Sequence, residues 1–211
     1  MKSSFFEFIA NYVASDQIAK WCEQLHQETP FSFKITKERS SKLGDYRYKR
    51  VSRVKKHEIT INHNLNKHQF LFTFLHEVAH RITMEQYGRN VMPHGKEWKM
   101  IFSELLNSAL LKGFFPEILF ASISKHAKNP KASCIADHKL YKLFKSFDEN
   151  KKNVVHLCDI KLNSLFLLGN EYYRKLEVRR TRSLCKNVRN SKKYLVSEIA
   201  EVKKVNENDQ S

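Results

Sequence analysis

Residues 66–88 predict a helix whose two ends are both marked by the sequence. Asn66, followed three residues later by Gln69, has the pattern of a capping box, and Gly88 stands where a helix C-cap falls. Between these signals the large apolar side chains occupy one arc of about 140° on a helical wheel; they are Phe70, Leu71, Phe74, Leu75, Val78 and Ile82. Such a helix must bury one face, so it forms the centre of a predicted domain.

The side of this helix opposite the apolar stripe carries a metal-binding pattern. Residues 76–80 read His-Glu-Val-Ala-His. Because residues four apart lie one above the other on a helix, His76 and His80 can direct two imidazoles at one ion, and Glu77 can reach a water held there. The alternative is a pair of solvent-exposed histidines on an amphipathic helix. The helix signals around the motif favour the metal site.

A catalytic zinc site uses three protein ligands and leaves a fourth position open. The metzincin form of the motif would place Gly at 83 and His at 86, so Thr83 and Gln86 exclude that class. His94, in the segment Met-Pro-His-Gly, is the favoured third ligand. Glu97 and Glu104 are alternatives, since some zinc hydrolases take a carboxylate from a following helix. A site with no third ligand is the remaining interpretation.

These motifs resemble the SprT-like zinc metalloproteases, bacterial relatives of the Spartan DNA–protein-crosslink proteases. The resemblance covers roughly residues 5–110 and rests on His76-Glu-x-x-His80, Pro93-His94-Gly95-x-x-Trp98, Lys42-Leu-Gly-Asp-Tyr-Arg47, His57-Glu-Ile-Thr-Ile-Asn62 and Leu65-Asn66. It implies a zincin domain in which one Zn2+ is bound by His76, His80 and His94, with Glu77 as the catalytic base. It also implies a substrate that is protein held on DNA.

The predicted fold class is α+β. A zincin-like helical domain with a small antiparallel sheet is expected over 1–112, connecting loops and short helices over 113–152, a basic β module over 153–202 and a disordered tail over 203–211. Apolar periodicity predicts helices over 5–27, 67–87 and 95–111, and strands over 31–36 and 58–62. Short apolar runs at 154–157, 165–168, 172–178 and 194–196 predict the β module.

The β module resembles a zinc ribbon without its cysteine knuckles. The four cysteines are Cys22, Cys134, Cys158 and Cys185, and no C-x-x-C pair occurs. A second zinc site could be formed by Cys134, His138, His156 and Cys158. It is less favoured, because the spacing within neither pair matches that of a zinc knuckle. Reduced, buried thiols are the favoured interpretation. Unpaired cysteines and the absence of a long apolar stretch predict a soluble cytoplasmic protein without a membrane partner.

Basic residues are concentrated in two stretches of this chain. Its formal net charge is +16, and neither residues 46–56 nor residues 178–197 contain an acid. Such clusters suit a phosphate backbone, and a solvated basic face is the alternative. The candidate nucleic-acid contacts are Arg179, Arg180, Arg182, Lys186, Arg189, Lys192 and Lys193.

The function predicted from these features is zinc-dependent hydrolysis of peptide bonds in DNA-associated proteins. Glu77 would take a proton from the attacking water and pass it to the leaving amine. Tyr87 and nearby basic residues are candidates for stabilising the oxyanion. A nucleic-acid-binding protein with a structural zinc site, and a zinc hydrolase of a non-peptide bond, are the two alternatives.

Overall fold

The computed structural model describes residues 4–39, 42–51, 54–132, 137–148, 155–179 and 182–205. The chain divides into two compact units. The N-terminal unit comprises Met1–Ser133 with Lys139–Asp148, and the C-terminal unit comprises Cys134–His138 with Glu149–Ser211. Residues 113–133, which were expected to form part of a connection, therefore group with the N-terminal unit.

The N-terminal unit combines helices with one small sheet. Its elements are α1 (Phe5–Ala10), α2 (Asp16–Glu28), β1 (Ser32–Thr36), β2 (Gly44–Val51), β3 (Val54–Asn62), α3 (Lys67–Tyr87), α4 (Lys96–Leu111), α5 (Glu117–Lys128) and α6 (His138–Lys145). The C-terminal unit is a sheet, so the α+β class is confirmed. None of the helices in the described ranges has both the length and the apolar character needed to span a membrane.

The helix predicted over 5–27 is two helices. Ser4 and Glu7 cap the start of α1 reciprocally, and the Ser15 side chain accepts from the Ile18 backbone to begin α2. A second cap inside the segment stabilises a new helix start, which breaks the continuous helix. The apolar period continues across the break because Val13, in the turn, is also buried.

The sheet of the N-terminal unit is mixed, whereas an antiparallel sheet was expected. Its strand order is β1-β3-β2, with β1 parallel and β2 antiparallel to β3. Two strands joined by a hairpin must be antiparallel, but β1 reaches β3 through a longer connection that allows either direction. β3 turns Ile59 and Ile61 into the core, and β2 forms an edge of the sheet.

Helix α3 lies at the centre of the N-terminal core. Phe70, Phe72 and Phe74 are each at most 1% exposed, and Phe72 contacts Phe102 edge-on. The Asn66 side chain accepts from the Gln69 backbone at 3.0 Å, so the predicted cap is present. Its return half is absent, because the buried Gln69 side-chain amide makes no hydrogen bond to the Asn66 backbone N–H. The Asn66 side chain also donates through Nδ2 to Phe144 O and Asp148 Oδ1.

The C-terminal unit is a six-stranded antiparallel sheet. Its strands are β4 (Val155–His156), β5 (Leu165–Leu168), β6 (Glu171–Val178), β7 (Arg182–Asn187), β8 (Lys193–Ser197) and β9 (Glu201–Lys204), in the order β4-β9-β5-β6-β7-β8. The predicted start of a disordered tail at 203 is wrong, since Lys203 and Lys204 lie in β9 and pair with β5. Burial of Val202 in the core beside Phe166 holds that strand in place.

A polar network crosses the interior of the C-terminal unit. Lys175 is 2% exposed, and its Nζ lies 2.8 Å from Leu157 O and 3.2 Å from the Glu198 carboxylate. Ser183 Oγ donates to the same carboxylate at 2.5 Å. A buried charge is tolerated only when it is paired and hydrogen-bonded, and these contacts meet that requirement. Cys158 and Cys185 of this unit are free thiols.

Candidate metal centre

Three imidazoles converge at one face of α3. His76 and His80 come from α3 itself, and His94 comes from the segment before α4. His94 Nε2 lies 3.1 Å from His80 Nε2 and 3.3 Å from His76 Nε2. Two nitrogens bound tetrahedrally to zinc at about 2.0–2.1 Å would lie roughly 3.3 Å apart. The spacing and the nitrogen donor set therefore fit a zinc ion.

The backbone before α4 brings His94 to the other two histidines. Gly95 N donates to Met92 O at 2.8 Å, which closes a tight turn. His94 has a φ of 134°, a conformation that costs free energy for a residue with a side chain and is most often kept at functional sites. A Cβ at Gly95 would fall 3.0 Å from Met92 O, so glycine suits the turn.

Trp98 forms the wall behind all three histidines. Its ring centroid lies 4.7 Å from that of His76, 5.2 Å from that of His80 and 4.6 Å from that of His94. Trp98 is fully buried, so it fixes the planes of the three rings. The sequence placed it in the motif Pro93-His94-Gly95-x-x-Trp98 and on the inward face of a helix, but assigned it no role in the site. Trp98 lies in the first turn of α4, four residues after His94, and this spacing is the signal that relates it to the site.

Glu77 lies beside the histidines with its carboxylate held from one side. The side chain is buried, and the backbone N–H of Tyr46 on β2 donates to the carboxylate. Burial, and then the negative charge of Asp45, raises the pKa of Glu77 to about 8. A carboxyl group with a pKa near neutrality suits a general base, because it can both accept and release a proton.

Burial keeps the three histidines neutral. It lowers the pKa of His80 to about 3, with His94 adding to the effect, and lowers the pKa of His76 well below its ordinary value. The pKa of His94 is lowered for the same reason. Metal binding requires the neutral ring with a free lone pair, so this electrostatic setting favours a cation over protons.

The histidines and Glu77 open onto a cleft of about 550 Å3. Gly44, Tyr46 and Tyr48 of β2 line one side, while Met92 and Pro93 line another. Tyr87, named from the sequence as a candidate oxyanion donor, is not among the residues that line this cleft. Tyr46 lies closer, but its hydroxyl is hydrogen-bonded to His57 Nδ1 at 2.7 Å.

The carboxylate alternatives for a third ligand do not join the three histidines. Among the described residues, His76, His80 and His94 form the only group of three or more His, Cys, Asp or Glu side chains with ligand atoms within 4.8 Å of one another. Glu104 is exposed on α4. The second-site candidate includes Cys134, which lies outside the described residues, and no described group contains His138, His156 or Cys158.

The candidate nucleic-acid residues that the structure describes lie on strands β7 and β8 or in the segments next to these strands and β6. Arg182, Lys186, Arg189, Lys192 and Lys193 are all exposed, whereas Arg180 falls outside the described residues. Two of the exposed arginines are paired: Arg179 with Glu177 at 3.3 Å, and Arg189 with Glu171 at 3.5 Å.

One row of basic residues crosses three neighbouring strands of this sheet. Arg174 pairs in register with Lys186, and Lys186 pairs with Lys193. Like charges directly opposite one another on a sheet are destabilising, so this row marks a surface suited to an anionic partner. Tyr172 lies two residues from Arg174 on the same strand and is 44% exposed. Arg174 was not named from the sequence.

Comparisons with known proteins agree with the motifs. Residues 14–118 match the SprT-like family. A 31-residue stretch is 55% identical to Protein SprT of Glaesserella parasuis serovar 5 (strain SH0165), covering 15% of this chain and 19% of that protein. No solved structure matches the chain significantly. Through residues 14–118, this chain belongs to the SprT-like family.

Proposed function

We propose that this protein is a zinc-dependent peptidase whose N-terminal unit is a zincin domain. The convergence of His76, His80 and His94 beside the buried carboxylate of Glu77 carries the proposal. That arrangement provides three nitrogen ligands and a base next to an open cleft. Membership of the SprT-like family supports the same function.

In this proposal each residue has a separate role in hydrolysis. A zinc ion bound by the histidines would supply a Lewis acid that makes water more acidic and polarises the peptide carbonyl. Glu77 takes the proton of the attacking water and delivers it to the leaving amine. The Tyr46 N–H orients the Glu77 carboxylate, and Trp98 fixes the imidazole planes. These contacts place the base before substrate arrives.

A purely structural zinc site is the rival interpretation. Structural sites are closed by four protein ligands, whereas the described residues supply a group of three. These three line a cleft rather than a packed interior, because His76, His80 and His94 all contribute to its wall. Both observations support the enzyme.

The experiment compares the wild-type protein with Glu77→Gln. We expect both proteins to hold one zinc per chain by metal analysis, since Glu77 is not among the converging ligands. The variant should lose hydrolysis by about 100-fold or more on a peptide library, because an amide cannot accept the proton of water. A matching panel of phosphoesters tests the non-peptide alternative. Peptide turnover by Glu77→Gln at the wild-type rate would remove Glu77 as the base.

We propose further that the substrate is protein associated with DNA, in the cytoplasm. The row formed by Arg174, Lys186 and Lys193 supports DNA binding, because phosphate contacts would relieve the repulsion between these cations. The test is cleavage of one protein in two forms, free and covalently attached to DNA. Faster cleavage of the attached form is expected, and equal rates would remove DNA from the proposal.

A further inference from the structure

One buried asparagine lies where the ends of three strands meet. Asn62 is the last residue of β3 and is 1% exposed. Thr36, the last residue of β1, is its partner in the parallel pair, and Gly44 begins β2 opposite the preceding residue, Ile61. Because a buried amide costs free energy unless its donors and its acceptor are paired, the contacts of Asn62 indicate what it holds.

The Asn62 side chain binds the segment that leads into β2. Its Nδ2 donates to Lys42 O at 3.0 Å and to Arg39 O at 3.3 Å. Its Oδ1 accepts from Arg39 Nε at 2.8 Å and from Thr36 Oγ1 at 3.3 Å. The backbone N–H of Asn62 donates to Leu43 O at 2.9 Å. Asn62 therefore holds both the end of β1 and the last residues before β2.

Strand β2 begins directly after these contacts and holds the proposed base. Its first residue, Gly44, packs against the Glu77 carboxylate, and the backbone N–H of Tyr46 donates to the same carboxylate. Gly44 is in the last pair of the β2–β3 ladder and has no side chain to anchor it. The hydrogen bonds of Asn62 lie one step beyond that pair, so they restrain the strand at the end where a ladder opens most easily.

Asparagine is the residue type that these contacts require. Its amide presents two N–H donors and one carbonyl acceptor on a single short side chain. Aspartate would keep the acceptor for Arg39 but would turn an oxygen toward the carbonyl oxygens of Lys42 and Arg39. Alanine would remove all the side-chain contacts. Two substitutions at position 62 can therefore remove either the donors alone or the whole set.

We propose that Asn62 is a positioning residue for the hydrolysis assigned to Glu77. Asn62 is not among the residues that line the cleft, so it acts through β2. By holding the residues before that strand, it keeps Gly44 and Tyr46 against the carboxylate and fixes the base before a substrate arrives. The inference rests on the proposed peptidase function, because it names a residue that supports the same base.

Amide hydrogen exchange and kinetics together test this role in the purified full-length protein. In Asn62→Ala and Asn62→Asp, the Tyr46 N–H should exchange at least about tenfold faster than in the wild type, whereas that of Val78, inside α3, should keep its rate. On a peptide that the wild-type protein cleaves, kcat should fall at least about tenfold in both variants. Zinc content should stay at the wild-type level, because Asn62 lies outside the group of converging ligands. Asn62→Asp keeps the size of the side chain and its acceptor, so it tests the role even where Asn62→Ala fails to fold.

A buried residue on another element offers the matched control. Ile123 is fully buried on α5, which packs on α4, and Ile123→Ala leaves a cavity that destabilises the same unit. At a temperature where urea denaturation shows the variants to be folded, its kcat and its Tyr46 exchange should stay within about twofold of the wild type. If Ile123→Ala matches the Asn62 variants in both measurements, loss of stability explains the effect and the positioning role is refuted.

The remaining outcomes separate this inference from the proposed function. Unchanged Tyr46 exchange, or unchanged kcat, in both Asn62 variants overturns the positioning role and leaves the peptidase standing. A wild-type protein that cleaves no peptide overturns the peptidase and, with it, any role of Asn62 in hydrolysis. Tyr46 exchange that still depends on Asn62 would then show the hold on β2 by itself, which keeps the two failures distinct.

Discussion

Gly44 lies directly against the carboxylate of Glu77. A Cβ at position 44 would fall 2.5 Å from Glu77 Oε1 and 2.8 Å from Glu77 Cγ. The first residue of edge strand β2 thus sets how closely the sheet approaches α3 at the proposed base. The same strand holds the carboxylate through the Tyr46 N–H. The close approach and the hydrogen bond together explain why glycine is needed at this point.

Gly44→Ala should therefore disturb the base while sparing the zinc ligands. We expect peptide hydrolysis to fall at least tenfold and the free energy of unfolding to drop by about 1–3 kcal/mol, as in overpacked interiors. Zinc content should stay at the wild-type level. Thr73→Ser, which removes a methyl group lying 2.8 Å from the added Cβ, should recover part of the lost stability in the double variant. Urea denaturation and the peptide assay measure the two effects, and full activity in Gly44→Ala would contradict the close contact.

Loss of zinc is the expected result of His94→Ala. Removing one of three ligands leaves a two-histidine site, which binds zinc weakly. Metal analysis after dialysis should show near-complete loss in this variant. Glu97→Ala and Glu104→Ala are the matched controls, since neither residue joins the group of converging atoms. Retention of zinc by His94→Ala, with loss in either glutamate variant, would show that the third ligand is a carboxylate.

The metal-free protein should become less stable as the pH falls below about 6.5. Burial lowers the pKa of His80 to about 3 in the folded protein, whereas a histidine in the unfolded chain titrates near 6.5. Between those values the unfolded chain binds protons that the folded protein does not, so stability falls with decreasing pH. Each such histidine adds a slope of at most about 1.4 kcal/mol per pH unit. Glu77, whose pKa is raised to about 8 in the folded protein, has the opposite effect and offsets one of the three histidines.

Urea denaturation in the presence of a chelator, repeated across this pH range, measures that slope. His80→Gln should flatten it, because the variant has no proton to take up at this position. His63→Gln, at an exposed histidine outside the site, is the matched control and should keep the wild-type slope. An unchanged slope in His80→Gln would mean that His80 does not resist protonation.

Charge reversal on the exposed row of the C-terminal sheet should weaken DNA binding. Lys186→Glu with Lys193→Glu alters two neighbours in that row. Affinity for every oligonucleotide should fall, and the salt dependence should flatten by about 0.9 per lost phosphate contact. Lys161→Glu with Lys204→Glu is the matched control. It changes the same charge at two exposed lysines of this unit that lie outside the row. Equal weakening by both pairs would make the row an ordinary solvated surface.

The helix ends could be predicted from the sequence, because local signals determine them. The ends of α3 could be assigned because Asn66 caps the helix through its own side chain and Gly88 adopts a positive φ. The start of α4 could be assigned because Pro93 and Gly95 disfavour a regular helix in the segment before it, and Gly95 is its N-cap. The position of His94 beside this helix start makes it a candidate ligand from the sequence alone.

The features that depend on tertiary contacts escaped sequence reasoning. Strand β2 alternates Tyr46 and Tyr48 with charged residues, and it becomes a strand by pairing with β3. The contact between Gly44 and Glu77 joins residues far apart in sequence, so no local pattern marks it. The hydrogen bonds from Asn66 Nδ2 to Phe144 O and Asp148 Oδ1 join residues far apart in sequence, so the neighbours of Asn66 do not reveal them.

The ion pair between Lys175 and Glu198 means that the C-terminal sheet neutralises its interior with its own side chains. Zinc starvation would then act unevenly along this chain. The proposed catalytic half would lose its reactivity, while the ion pair inside the C-terminal sheet would be unaffected, because it involves no metal.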